Sequence, residues 1–188
     1  MALSFSGFAV KLYRLLHRFL SAADRKQFCQ NKENIIPRSF RLGTHNSVYI
    51  APTAQVSLGE NVTINQHNFI TIKDKAVFTV GAETYITRAT ISCLEEISIG
   101  SHCILGEGLK IFDHNHKHTK QPFSVSKTEF NTAKINIGNN VWTGANVTIL
   151  KGVTIGDNVI LGAGVLVYKD IPANTIVTNK QELVLKSI

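Results

Sequence analysis

From Ile135 to Thr175 apolar and polar positions recur every six residues. Ile137-Gly138-Asn139-Asn140-Val141-Trp142 is followed by Thr143-Gly144-Ala145-Asn146-Val147-Thr148, then Ile149-Leu150-Lys151-Gly152-Val153-Thr154, Ile155-Gly156-Asp157-Asn158-Val159-Ile160 and Leu161-Gly162-Ala163-Gly164-Val165-Leu166. The first position is almost always aliphatic, the second usually Gly, and the fifth apolar. A short fixed period of this kind is the signature of a repeat architecture. A strand interrupted by glycine every few residues has to bend, so the chain coils, with first and fifth residues inward and the second at a corner. The pattern predicts an all-β solenoid.

A different period governs the N-terminus. Leu12, Leu15, Leu16, Phe19 and Leu20 form one helical stripe, with Lys11, Arg14 and Arg18 outside it. The spacing predicts an amphipathic helix from about Leu3 to about Phe28. Two placements are open to it: a cap over the first coil, where apolar surface and open strand edges need cover, or contact with an anionic membrane surface.

The coil opens less regularly from Tyr49, and the aliphatic-Gly corner recurs at Gly59, Gly81, Gly100, Gly138 and Gly156. Three hexads separate the last two, which implies a triangular coil of three short strands per turn; the longer earlier intervals imply bulges. Residues 113–134 break the pattern and are expected to form a long unstructured loop that leaves the coil and returns near Ile135. The expected division is helix and linker over 1–42 and coil over 43–188. A long interruption of a strict repeat is where function is sought.

At 188 residues the chain suits one domain. No apolar run reaches the ~18 residues of a membrane span, and Lys11, Arg14 and Arg18 interrupt any secretory signal, so a cytoplasmic location is expected. Net charge is +7, with eight Lys and Arg against Asp24 and Glu33 before Gly43. The coil is therefore near neutral and lacks the aromatic-interleaved basic face of a nucleic-acid binder. Cys29, Cys93 and Cys103 form no CxxC pair and are expected to be buried apolar fillers rather than a disulfide framework.

His114, His116 and His118 alternate along the interruption. Three readings are open: a solvated polar loop, a metal site, or a histidine acting as general base. A metal site on one such run would lack the usual ligand from a second element. Imidazole titrates near neutrality and can take a proton from an attacking hydroxyl; Asp113, Asn115 or a backbone carbonyl could hold its other nitrogen.

The hexads, the run Ile137-Gly138-Asn139-Asn140-Val141-Trp142-Thr143-Gly144, Gly152-Val153-Thr154-Ile155-Gly156-Asp157-Asn158, Gly162-Ala163-Gly164 and the ending Lys169-Asp170-Ile171-Pro172 resemble the hexapeptide-repeat acyltransferases. Within that family they are most similar to the galactoside, maltose and polysaccharide O-acetyltransferases, over roughly Tyr49 to Val177. The resemblance implies a left-handed parallel β-helix, an exception to the usual right-handed crossover, and a homotrimer with active sites between subunits. It implies acetyl-CoA as co-substrate, a sugar or glycan hydroxyl as acceptor, and no metal. The family's catalytic histidine follows an aliphatic-Gly corner by sixteen residues, which from Gly100 lands on His116; His114 misses that spacing. His116 would take the hydroxyl proton, and the Ala145 N–H would stabilise the oxyanion.

For the coenzyme the resemblance implies backbone contacts at Gly144, Ala145, Gly162 and Ala163, with Trp142 as core or as a wall beside the thiol end and with Lys169 and Lys180 facing phosphates. Simple corner geometry would also account for the small residues. For the acceptor, Ile86-Thr87-Arg88 stands where many relatives have an asparagine, so Thr87 or Arg88 takes its place, and the loop offers Asp113, Lys117 and Phe123. Thr178-Asn179-Lys180-Gln181-Glu182 replaces the family's usual Gly-Asn-Pro-Ala turn. Two further readings are a trimeric metal-dependent hydratase resembling the γ-class carbonic anhydrases, for which only His67 and His102 lie in the coils, and an inactive trimeric scaffold.

Overall fold

The computed structural model describes residues 5–180 and Lys186. Among the hexad residues the inward positions are as the period predicts: Ile137 and Val141, Ile149 and Val153, Ile155 and Val159, and Leu161 and Val165 are all buried. Their strands stack in parallel into three faces of a coil. Face A holds Gln55–Leu58, Val77–Val80, Glu96–Ile99, Ile135–Ile137 and Thr154–Ile155. Face B holds Arg41–Leu42, Thr63–Ile64, Tyr85–Ile86, Ile104–Leu105, Trp142–Thr143, Ile160–Leu161 and Ile176–Val177. Face C holds Ser47–Ile50, Phe69–Ile72, Thr90–Cys93, Lys110–Phe112, Thr148–Leu150 and Leu166–Val167. The chain visits them in the order B, C, A.

The result is a parallel β-helix filled by aliphatic ladders such as Ile70, Ile91, Ile111, Ile149 and Val167 on face C. Burying one such side chain stabilises the coil by roughly 1.5–3 kcal/mol relative to exposure. Buried Thr143 stands among Leu105 and Leu161. Its hydroxyl accepts a hydrogen bond from the Gly106 N–H at 2.8 Å, so the polar group is satisfied. At the corner between faces A and B a Cβ on Gly100 would lie 2.5 Å from the Gly138 carbonyl oxygen, so glycine is required for the coils to stack.

Early coils are longer than late ones. Asn34 and Val56 are 22 residues apart across one turn, whereas Asn139 and Asp157 are 18 apart. The coil also starts before Tyr49: Arg41–Leu42 pairs with Thr63–Ile64, and Ile35 bridges Ser57. These first turns keep glycine at corners such as Gly43 and Gly59, but not the strict six-residue spacing that makes the later ones legible.

A helix, α1 (Phe5–Phe28), precedes the coil; Leu3 lies outside the described residues. Phe28 is buried against Phe40, with ring centroids 5.1 Å apart, and the Arg25 guanidinium donates to the Phe40 carbonyl at 2.7 Å. The capping contact is thus made by the last turn. Leu12, Leu15, Leu16 and Phe19, the stripe expected to do it, are exposed. Among the described residues no helix is long and apolar enough to cross a membrane.

The interruption is not an unstructured loop. Residues His114–Lys120 and Phe123–Thr132 form an antiparallel hairpin that turns at a cis Gln121-Pro122 bond. His114 pairs with Thr132, Asn115 with Asn131 and His116 with Phe130; an irregularity separates His116 from His118, which pairs with Val125. Phe123 and Val125 alternate with polar residues, but Phe130 lies five residues further on and out of that phase, so a period of two is weak in this segment.

Candidate active site

The hairpin leaves the coil at the corner between faces C and A. Asp113 is fully buried there, and its carboxylate oxygens accept hydrogen bonds from the backbone N–H groups of Leu94, Glu95 and Glu96 at 2.7–3.1 Å. Its position was expected to touch the acceptor; with no exposed surface it instead ties the hairpin base to the preceding coil. It also faces His114, whose Nδ1 lies 3.1 Å from the Asp113 Oδ1. Cys93, buried beside it, donates to the Val77 carbonyl. Burial, the Asp113 charge and the hydrogen bond to it push that thiol well up, so it stays protonated. Cys103 is buried and raised for the same first reason, whereas Cys29 is exposed, contrary to expectation.

Two residues along the strand, His116 is exposed. Its Nδ1 lies 2.8 Å from the Ser126 carbonyl oxygen of the return strand. A carbonyl only accepts, so Nδ1 carries the proton and Nε2 is left as an acceptor in the neutral ring. The Phe130 ring touches both histidines, edge-on to His114 at 5.2 Å and tilted against His116 at 4.6 Å. Phe130 and Ser126 were not foreseen. Every residue has a carbonyl, so Ser126 carries no signal of its own; Phe130 could have been found by pairing the strands. Lys117 is exposed with its Nζ 3.7 Å from Glu129, and Phe123 is exposed at the hairpin end.

The corner between faces B and C differs. It stacks Asn65-Gln66, Thr87-Arg88, Gly106-Glu107, Gly144-Ala145, Gly162-Ala163 and Thr178-Asn179, each set joined to the next by a backbone hydrogen bond such as Thr87 N–H to Leu105 and Gly144 N–H to Leu161. A Cβ on Gly144 would meet the Ala163 nitrogen at 2.7 Å, so corner geometry accounts for that glycine. The N–H groups of Ala145 and Ala163 point to no acceptor among the described residues, and both residues are exposed. At Ala145 and Ala163 the edge is a row of spare donors, bordered by exposed Trp142 and topped by exposed Lys180. Such a row suits an extended chain of amides and carbonyls. Lower on the same edge Arg88 pairs with Glu107, and with His67, Phe69, Thr90 and Lys110 it lines an open hollow of about 330 Å³.

The residues singled out in the sequence therefore fall on two corners. Thr87, Arg88, Trp142, Gly144, Ala145, Gly162, Ala163 and Lys180 share one; His114, His116, Asp113, Lys117 and Phe123 share the other. Exposed Lys169 follows the face C strand Leu166–Val167, so it stands on the hairpin's corner and not beside Ala163. Within one chain the width of face C separates His116 from Ala145. His67 and His102 also lie on different corners, at positive φ, and His67 stacks on His45 with centroids 4.9 Å apart. Among the described residues no group of three or more His, Cys, Asp or Glu could hold a metal ion.

The chain and its fold match known proteins. Residues 134–169 match the family "Bacterial transferase hexapeptide (six repeats)". Galactoside O-acetyltransferase of Escherichia coli (strain K12) is 31% identical over 85% of this chain and 70% of its own length. Polysialic acid O-acetyltransferase of Neisseria meningitidis is 30% identical over 59% of this chain and 58% of its own. The hexapeptide-repeat acetyltransferase VCA0836 of Vibrio cholerae, solved in complex with acetyl coenzyme A, shares the fold with a TM-score of 0.52 and 21% identity, covering 93% of this chain and 84% of that one. The chain belongs to the hexapeptide-repeat acyltransferase family.

Proposed function

We propose that the protein transfers an acetyl group from acetyl-CoA to a hydroxyl of a sugar or glycan, with His116 as general base. The observation that carries this reading is the Nδ1 contact with the Ser126 carbonyl at 2.8 Å, which leaves Nε2 as a proton acceptor on an exposed face. The named activities of the galactoside and polysialic acid relatives support the donor and acceptor classes.

His116 Nε2 removes the proton from the acceptor hydroxyl as its oxygen attacks the thioester carbon. The Ala145 N–H donates to the oxygen on which negative charge develops, and the thiol of coenzyme A leaves with a proton returned from His116. The Ala163 N–H donates to the pantetheine arm, for which the small Gly144-Ala145 and Gly162-Ala163 turns leave room; Lys180 faces the phosphate end. Arg88, Thr87 and the hollow floored by Phe69 receive the acceptor. No bond to the enzyme forms.

Because His116 and Ala145 occupy different corners, the site is completed between chains, the hairpin of one chain reaching the bare edge of the next in a trimer. Face B offers the surface for this assembly: Tyr85, Ile104, Trp142, Ile160 and Ile176 stand in register on its outer side, and all but Ile160 are exposed.

Release of thiol from acetyl-CoA against a panel of mono- and oligosaccharides tests the reading. Turnover with a sugar hydroxyl is expected; turnover with amines alone overturns O-transfer. A second reading is favoured by one observation, the Asp113–His114 pair at 3.1 Å, which resembles a carboxylate-oriented base. If His114→Ala abolishes kcat and His116→Ala does not, the roles are exchanged.

A further inference from the structure

Helix α1 meets the coil only through its last turns, among the described side chains. The residues that lose surface in its last turns are Asp24, Arg25, Gln27 and Phe28, while Ala22, Ala23 and Lys26 are exposed. At 100° per residue Leu12, Leu15, Leu16 and Phe19 lie opposite Phe28, and their exposures run from 46% to 79%. A face of that composition turned to water is an interaction surface.

Charge decides the occupant. Lys11, Arg14, Arg18, Arg25, Lys26, Lys32, Arg38 and Arg41 surround the stripe in sequence against Asp24 and Glu33, which puts nearly all of the net +7 into the first 42 residues. A second copy of this chain would bring the same positive charge to the contact and be repelled. An anionic bilayer brings the opposite charge and an apolar layer at the depth an interfacial helix reaches. We infer that α1 docks the protein on an anionic lipid surface, with Leu12, Leu15, Leu16 and Phe19 in the acyl boundary and the flanking Lys and Arg at the headgroups. This inference does not depend on the acetyl-transfer reading.

The test is co-sedimentation of the full chain with phosphatidylcholine vesicles, with and without phosphatidylglycerol. Binding is expected to the anionic vesicles, weakened by salt, and lowered more than about tenfold by the pair Leu15→Glu and Phe19→Glu. Both side chains are exposed, so the pair keeps the fold; circular dichroism and mass by light scattering are expected to be unchanged. Wild-type protein that stays in the supernatant with both vesicle types overturns the inference. So does a change in the mass of the variant, which would assign the stripe to a contact between copies.

Discussion

The two corners that flank face C have opposite constructions. The edge from Asn65 to Asn179 advances through one small turn per coil, and its small residues leave the Ala145 and Ala163 N–H groups pointing outward. The other corner is ordinary at Lys151-Gly152, but one coil earlier it opens into a hairpin that carries His114 and His116. At Gly144-Ala145 and Gly162-Ala163 that edge supplies fixed dipoles with no long side chains to rearrange. The hairpin supplies a titratable group whose tautomer is set by its return strand. The proposed reaction needs both, His116 as base for the attacking hydroxyl and the Ala145 N–H as donor for the oxyanion, and one chain holds them apart.

The largest effect is expected at the hairpin. His116→Ala should lower kcat by about 10²–10⁴-fold with the unfolding midpoint unchanged, measured by thiol release; His114→Ala should cost less, because its ring is held against Asp113 and Phe130. Next comes complementation between the corners. Ala145→Trp should block the bare edge and leave the hairpin intact. Coexpressed with His116→Ala, it should restore about a quarter of wild-type turnover if trimers assort at random and each site draws on two chains. If each chain carries its own complete site, the mixture stays inactive.

Asp113→Ala comes third. It leaves the backbone donors of Leu94, Glu95 and Glu96 without their acceptor and should cost about 3 kcal/mol in a urea titration, as well as loosening the hairpin base. Smaller still, Arg88→Ala should raise the KM for the acceptor several-fold, by roughly 1 kcal/mol, with kcat and the KM for acetyl-CoA nearly unchanged. The least perturbing measurement is thiol labelling of the native protein: exposed Cys29 should react, and Cys93, held protonated beside Asp113, should react only on unfolding.

Much of this was legible in residue order. The Ile137 to Leu166 hexads predicted which side chains are inward, and the lapse at 113–134 located the histidines. The shape of that lapse was not legible, because its strand pairing rests on Phe123, Val125 and Phe130 across a tight turn rather than on a repeat. Asp113 read as an acceptor contact or as a holder of a histidine nitrogen, and only the second is seen, at His114; a carboxylate in a polar run gives no hint that three consecutive N–H groups of the previous coil converge on it. The stripe Leu12 to Phe19 correctly indicated a helix but not its partner, since periodicity records that a face is apolar and not what covers it.

The sequence by itself determined the coil, because a period of six with glycine corners is a local constraint: each hexad bends the same way, whatever the rest of the chain does. Only the tertiary structure decided which corner each candidate residue occupies. That depends on the accumulated lengths of all preceding turns, from 22 residues early to 18 late, and on the hairpin inserted between them, so Thr87 and Ala145 come to share one edge across an irregular stretch of chain whose period does not place them.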